Sequence, residues 1–140
     1  MIRPYIVKKI IHPDGAIDEI KPQVISQVIS SEIASRLTAM MVSTVKHGYS
    51  KKAGGEGYLI AGKTGTAQEP WSYWGVKKVG YSDEVIHSFV GYAPAFNPEF
   101  IIFLKMDAPK GIKHAADSLA PVFHDIAQYL FTYFGISPEE

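Results

Sequence analysis

The chain has 140 residues, 46% of them hydrophobic and 20% charged, and its 14 Lys and Arg balance its 14 Asp and Glu. That length fits one domain, the hydrophobic content excludes a disordered chain, and the zero net charge speaks against a nucleic-acid binder, which needs a basic excess. No apolar run approaches the roughly 18 residues of a membrane span, the opening Met1-Ile2-Arg3-Pro4-Tyr5 lacks the apolar core of a secretory leader, and with no Cys there is neither disulfide nor thiolate chemistry.

Tyr5 to Ile11 is rich in β-branched residues and Ala16 to Ile20 reads as a return strand. The His12-Pro13-Asp14-Gly15 between them is turn chemistry, so the first element is predicted to be a hairpin, ended by Lys21-Pro22. Ser30 to His47 has helical spacing of Ile33, Leu37, Met40, Met41, Thr44 and Val45, with Ser30 or Ser31 as the cap and Gly48 as the stop. A polar, Gly-rich loop follows from Ser50 to Gly57, and a strand is predicted from Tyr58 through Thr66. Ala67 to Glu84 reads as a long loop holding Trp71, Tyr73, Trp74 and Tyr81, and loops of that length are often functional. Val85 to Tyr92 and Phe100 to Met106 read as antiparallel strands joined by a short Pro-containing turn. Ser118 to Phe134 reads as a closing helix, with Pro121 tolerated in its first turn and an apolar stripe of Leu119, Val122, Phe123, Ile126, Leu130, Phe131 and Phe134. Strands that run together rather than alternating with helices predict an α+β fold with an antiparallel sheet.

Three motif matches bear on chemistry. Gly57, Gly62, Lys63 and Thr64 fit the phosphate-loop pattern, but a polar loop precedes it and Gly65, Pro70 and Gly75 follow where a helix is needed, so a nucleotide-binding reading is not favoured. Ser43-Thr44-Val45-Lys46 fits the S-x-x-K of acylating serine enzymes, yet Ser43 falls in the last turn of its helix, where a catalytic Ser belongs at the start. Lys63-Thr64-Gly65 sits on a predicted strand, and its context agrees with the K-T-G of penicillin-recognising enzymes. Lys63 supplies positive charge, the hydroxyls of Thr64 and Thr66 can donate to a carboxylate, Gly65 leaves the backbone approachable, and the Thr66 N–H can face a developing oxyanion.

The wider context makes the tripeptide specific. Ala61-Gly-Lys-Thr-Gly-Thr-Ala-Gln68 resembles the third active-site motif of class B penicillin-binding proteins, the peptidoglycan D,D-transpeptidases. Ser88-Phe-Val-Gly-Tyr-Ala-Pro-Ala95 with Asn97-Pro98-Glu99 resembles that family's next strand and turn. Val28-Ile-Ser30 with Met40-Met41-Val42, the Asp14-Gly15 hairpin, and Ala120-Pro-Val-Phe123 resemble its other elements, and Ala67-Gln68 leans toward the division branch, with the elongation branch next.

The resemblance implies the penicillin-binding and serine β-lactamase-like transpeptidase fold, with residues 1–140 as the C-terminal portion of the domain. It implies catalytic roles for Lys63 and Thr66 and substrate-binding roles for Thr64, Gly65 and Thr66. Ligands would be D-Ala-D-Ala stem peptides and β-lactams, partners would include division proteins, and no metal or cofactor is implied. The family's S-x-N is absent, since the single Asn is Asn97 with Ala95 two before it. The nucleophile motif, two N-terminal strands, a helical subdomain and a membrane anchor on the extracytoplasmic face are therefore expected upstream of Met1, and the chain alone is expected not to acylate. Open edges and uncovered apolar faces are expected in consequence. A non-catalytic peptide- or partner-binding fragment is the alternative. The five His residues show no paired ligand spacing and read as structural or solvated, with His87 bordering the cleft. The aromatic residues of the Trp71–Tyr81 region read equally as a cleft wall or as a loop packed on its own sheet.

Overall fold

The computed structural model describes residues 1–139, in two compact units, Met1–Ala34 and the chain from Ser35 onward. In the first unit, β1 (Lys9–Ile11) and β2 (Ile17–Glu19) pair antiparallel with Lys9 opposite Glu19 and Ile11 opposite Ile17. The turn is built as its residues demand. The His12 N–H donates to the Ala16 carbonyl at 2.8 Å, Asp14 accepts from the Ala16 N–H at 3.0 Å, and Gly15 takes φ 86°. The hairpin is shorter than the β-branched run suggests. Pro22 has no N–H to extend the ladder beyond Ile20, whose N–H reaches Lys8.

α1 (Ser31–His47) opens on Ser30, whose hydroxyl accepts from the Ile33 N–H at 3.2 Å, so the expected cap is present. In the second unit, β3 (Ala61–Pro70), β4 (Tyr81–Ala93) and β5 (Phe100–Asp107) form an antiparallel sheet in that order. α2 (Ala115–Ser118) and α3 (Ala120–Phe134) close the chain. The architecture is α+β with an antiparallel sheet, as the pattern predicts.

Three boundaries differ from the sequence reading. The strand starts at Ala61 rather than Tyr58, because Tyr58 turns away to stack on Phe131 at 3.7 Å. The expected Ala67–Glu84 loop is strand at both ends: Ala67 pairs with Ile86, Gln68 with Val85 and Pro70 with Tyr81, across a bulge. Polar side chains there hid the strand period, and only residues 71–80 remain as loop, with a 3₁₀ turn at Trp71–Trp74. The closing helix begins earlier and is broken at Leu119, with Pro121 in the first turn of α3.

The main core lies between the inner face of the sheet and α3. Phe89 of β4 meets Phe123 of α3 at 4.8 Å, surrounded by Val45, Ile60, Leu119, Ala127 and Phe131. Two glycines make room for these rings. A Cβ at Gly91 would lie 2.6 Å from two Phe123 ring carbons, and one at Gly62 would lie 2.8 Å from Phe89. A second, smaller cluster of Val42, Ala61 and Ala95 holds α1 against β3. The expected uncovered apolar face is visible on β5, where Ile101 and Phe103 are 70% and 65% exposed. Replacing Gly91 with Ala forces the Phe123 ring out of place and is expected to cost about 1–3 kcal/mol of stability. A urea melt of the variant that differs from the parent by less than about 0.5 kcal/mol, the usual scatter of a harmless surface change, would contradict this packing.

Candidate functional site

The site follows from how β3 uses its backbone. In an antiparallel ladder a residue's N–H and C=O point to one side, and the side alternates along the strand. The Gly62 carbonyl accepts the Thr44 hydroxyl of α1 at 2.7 Å, so it points away from β4. Thr64, Thr66 and Gln68 share that parity, and their backbone groups are directed at the open edge. The Lys63 ammonium donates to the Thr64 carbonyl at 2.7 Å, which agrees with this alternation and places the charge on the edge.

The side chains divide in the same way. Thr64 and Thr66 stand on the inner face, opposite Phe89 and His87. They line a pocket of about 340 Å³ with Tyr49, His114, Ala115, Ala116 and Asp117. The Thr66 hydroxyl accepts from the Ala115 N–H at 3.3 Å, which leaves its own proton free to donate into the pocket. Lys63 and Gly65 project to the other face and do not line the pocket. A Cβ at Gly65 would lie 2.5 Å from the Ser88 hydroxyl, so any side chain there would have to displace that hydroxyl.

The pocket's far wall was not visible in the sequence, because Tyr49, His114 and Asp117 are distant from Thr66 along the chain and follow no motif. The Lys52 ammonium, hydrogen-bonded to Asp117 at 2.7 Å, holds that carboxyl below its ordinary value. His87 lies behind Thr66 and is fully buried. Its Nε2 lies 3.3 Å from the Lys113 carbonyl and its Nδ1 lies 2.8 Å from the Ser118 hydroxyl. It is a structural tie between β4 and α2, as read from the sequence, rather than a cleft residue.

The other two motif matches fail on geometry. Lys63 and Thr64 lie within β3, with no helix after them, so the phosphate-loop arrangement is absent. Ser43 is exposed in the last turns of α1. At the far end of β3, Glu69 is fully buried, and among the described residues neither of its carboxylate oxygens has a hydrogen-bond partner. Among the described residues no helix is long and apolar enough to cross a membrane.

Residues 1–128 match the model of the penicillin binding protein transpeptidase domain. The chain is 41% identical over 142 aligned positions to penicillin-binding protein PbpB of Mycolicibacterium smegmatis, covering 92% of this chain and 21% of that protein. It is 33% identical to stage V sporulation protein D of Bacillus subtilis, covering 98% of this chain and 21% of that one. The crystal structure of penicillin binding protein 3 from Mycobacterium tuberculosis complexed with ampicillin superposes with a TM-score of 0.77 at 29% identity, over 94% of this chain and 30% of that one. The chain thus spans about a fifth of the length of these curated relatives.

Replacing Lys52 with Met removes the hydrogen bond and charge that hold Asp117 down. The Asp117 carboxyl is then expected to titrate higher, nearer an ordinary aspartate. The sign for stability follows. A depressed carboxyl stabilises the fold above its unfolded-state value, and that contribution fades as pH falls through its folded value. Carboxyl-carbon NMR titration of the two proteins checks this, and an unmoved midpoint would contradict it.

Proposed function

The chain belongs to the penicillin-binding protein transpeptidase family, and on that premise we propose that it is the C-terminal segment of a peptidoglycan D,D-transpeptidase whose β3 edge binds the D-Ala-D-Ala end of a stem peptide, or a β-lactam in its place. One observation carries the reading. Thr64 and Thr66 place their hydroxyls in one pocket, while their backbone groups face an unpaired strand edge.

In this reading the peptide lies along β3 as an added strand, bonded to the outward groups of Thr64, Thr66 and Gln68. The terminal carboxylate receives hydrogen bonds from the Thr64 and Thr66 hydroxyls, with the Lys63 ammonium beside it on the edge. The Thr66 hydroxyl is suited to this, because it accepts from Ala115 and so directs its proton outward. The scissile carbonyl sits before the Thr66 N–H, which stabilises negative charge as the carbon becomes tetrahedral. A serine oxygen attacks that carbon, the terminal D-Ala leaves as the amine, and the amine of a second peptide then displaces the serine.

The serine comes from elsewhere in the family's domain. In this sequence the one S-x-x-K is at Ser43, on an exposed helical turn, and S-x-N is absent. By itself the chain is therefore a binder of peptide termini, with half an oxyanion hole and no nucleophile. Ala67-Gln68 after the motif supports placement in the division branch, with the intact enzyme tethered at the outer face of the cell membrane among division proteins.

A fluorescent penicillin is expected to form no acid-stable adduct with the purified chain, as read by gel fluorescence and intact mass. A covalent adduct at Ser43 would overturn the assignment of the motifs. Non-covalent binding of a D-Ala-D-Ala pentapeptide is expected to weaken roughly 10-fold or more in Thr66→Val, since a hydrogen bond to a charged group contributes about 1.5–3 kcal/mol. Equal affinity of the variant and the parent by calorimetry would remove Thr66 from the carboxylate site.

A further inference from the structure

The segment between β3 and β4 is an ordered loop with an unexplained surface. Its neck is closed by the Trp71 N–H donating to the Gly80 carbonyl at 3.1 Å, and the Val76 N–H returns to the Trp71 carbonyl at 3.1 Å. Gly75 and Gly80 take φ of 71° and 102°, as this tight path requires. The Lys78 ammonium caps the Trp71 ring at 4.7 Å. A loop folded only to cover its own sheet would turn its rings inward. Instead Tyr73 and Trp74, edge to face at 5.7 Å, remain 57% and 47% exposed. Between Pro70 and Ser82 there are two lysines and no acid. The loop also frames a shallow, open hollow of about 350 Å³ between Ser72 and the Gly75–Val79 stretch, which Lys77 lines and the two rings do not.

The direction of the open edge connects this surface to the pocket. Thr44 caps the Gly62 carbonyl, so the edge is closed toward the start of β3. A peptide anchored by its carboxylate at Thr64 and Thr66 can run only toward Pro70. Trp71 lies five residue steps beyond Thr66 along the strand, about 17 Å, and an extended pentapeptide spans about the same distance. The end of the peptide that carries the sugar therefore arrives at the loop.

We propose that the Trp71–Gly80 loop is a saccharide subsite, with Tyr73 and Trp74 stacking on the apolar face of the sugar that bears the stem peptide and Lys77 facing carboxylates near the junction. This deepens the function proposed above and rests on it for the peptide's path. Charge and continuity with the strand edge favour a carboxylate-bearing glycopeptide over a lipid surface, which would have no reason to be aligned with β3.

Trp71 and Trp74 are the two tryptophans of the chain, so tryptophan emission, excited at the red edge where tyrosine does not absorb, reports on this loop alone. The purified chain is titrated with disaccharide-pentapeptide, with the same pentapeptide lacking sugar, and with phosphatidylglycerol vesicles, with calorimetry giving the affinities. The sugar-bearing ligand is expected to shift the emission saturably and to bind at least 10-fold more tightly than the bare peptide. That advantage is expected to vanish in Trp74→Ala, with far-UV circular dichroism unchanged, and to persist in Thr66→Val, which weakens both peptides alike. Equal affinity of the two peptides, no emission change with the sugar-bearing one, or a response to vesicles only would overturn the subsite. Insensitivity of both peptides to Thr66→Val, with the sugar advantage kept, would instead sink the carboxylate assignment and leave the sugar at the loop.

Discussion

The Thr44 hydroxyl donates to the Gly62 carbonyl at 2.7 Å and to the Met41 carbonyl at 2.8 Å, the longer-range of the two joining α1 to the start of β3. A hydroxyl has one proton, so these are shared, and the result is a helix end fixed against a strand edge. The contact sets where the free edge of β3 begins. At Gly62 the outward groups include a carbonyl satisfied within the fold. From Thr64 to Gln68 they are presented to whatever lies alongside. An open edge is ordinarily a liability that charge or a covering element must blunt. Here the Lys63 ammonium sits on it, which discourages pairing with another neutral strand while favouring a segment that ends in a carboxylate.

The inner face of the same strand is governed by volume. Gly62 and Gly91 stand where Phe89 and Phe123 need space, and the rings fill the centre of the sheet at close-packed distances. The strand is therefore held rigid from behind by aromatic packing and from one end by α1. That rigidity matters for the pocket. Hydroxyls that must meet a carboxylate at hydrogen-bond distance have to be held by elements that do not yield, and Thr66 is further oriented by the Ala115 N–H. His87, buried behind Thr66, ties the same region to α2 through Ser118 and Lys113.

Much of this was legible in the residues. Lys63-Thr64-Gly65-Thr66 on a strand, Ser30 as a cap, the hairpin turn at Asp14-Gly15 and the apolar side of α3 each carry a local signal that the structure keeps. The length of β3 and β4 was not legible. At Ala67, Gln68 and Tyr81 to Glu84 the positions that turn inward are filled by polar residues, Glu69 and Ser82, so no alternation of polar and apolar residues marks the strands. The pocket wall was not legible either. Tyr49, His114 and Asp117 become neighbours of Thr66 only after the sheet forms, and no spacing within a single element links them. Gly65 illustrates a mixed case. Its place in the motif was read as leaving the backbone approachable, while the cross-strand register shows that Ser88 also claims the space.

The central claim is that β3 holds an unpaired edge at Thr64 and Thr66 that an extended peptide terminus completes. Amide hydrogen exchange followed residue by residue by NMR tests it directly. In the free chain the Thr64 and Thr66 amides should exchange fast and those of Lys63 and Gly65 slowly. Saturating D-Ala-D-Ala pentapeptide should then slow the outward amides of Thr64, Thr66 and Gln68. Protection of Thr66 already present without peptide, or none gained when peptide is bound, would contradict the account.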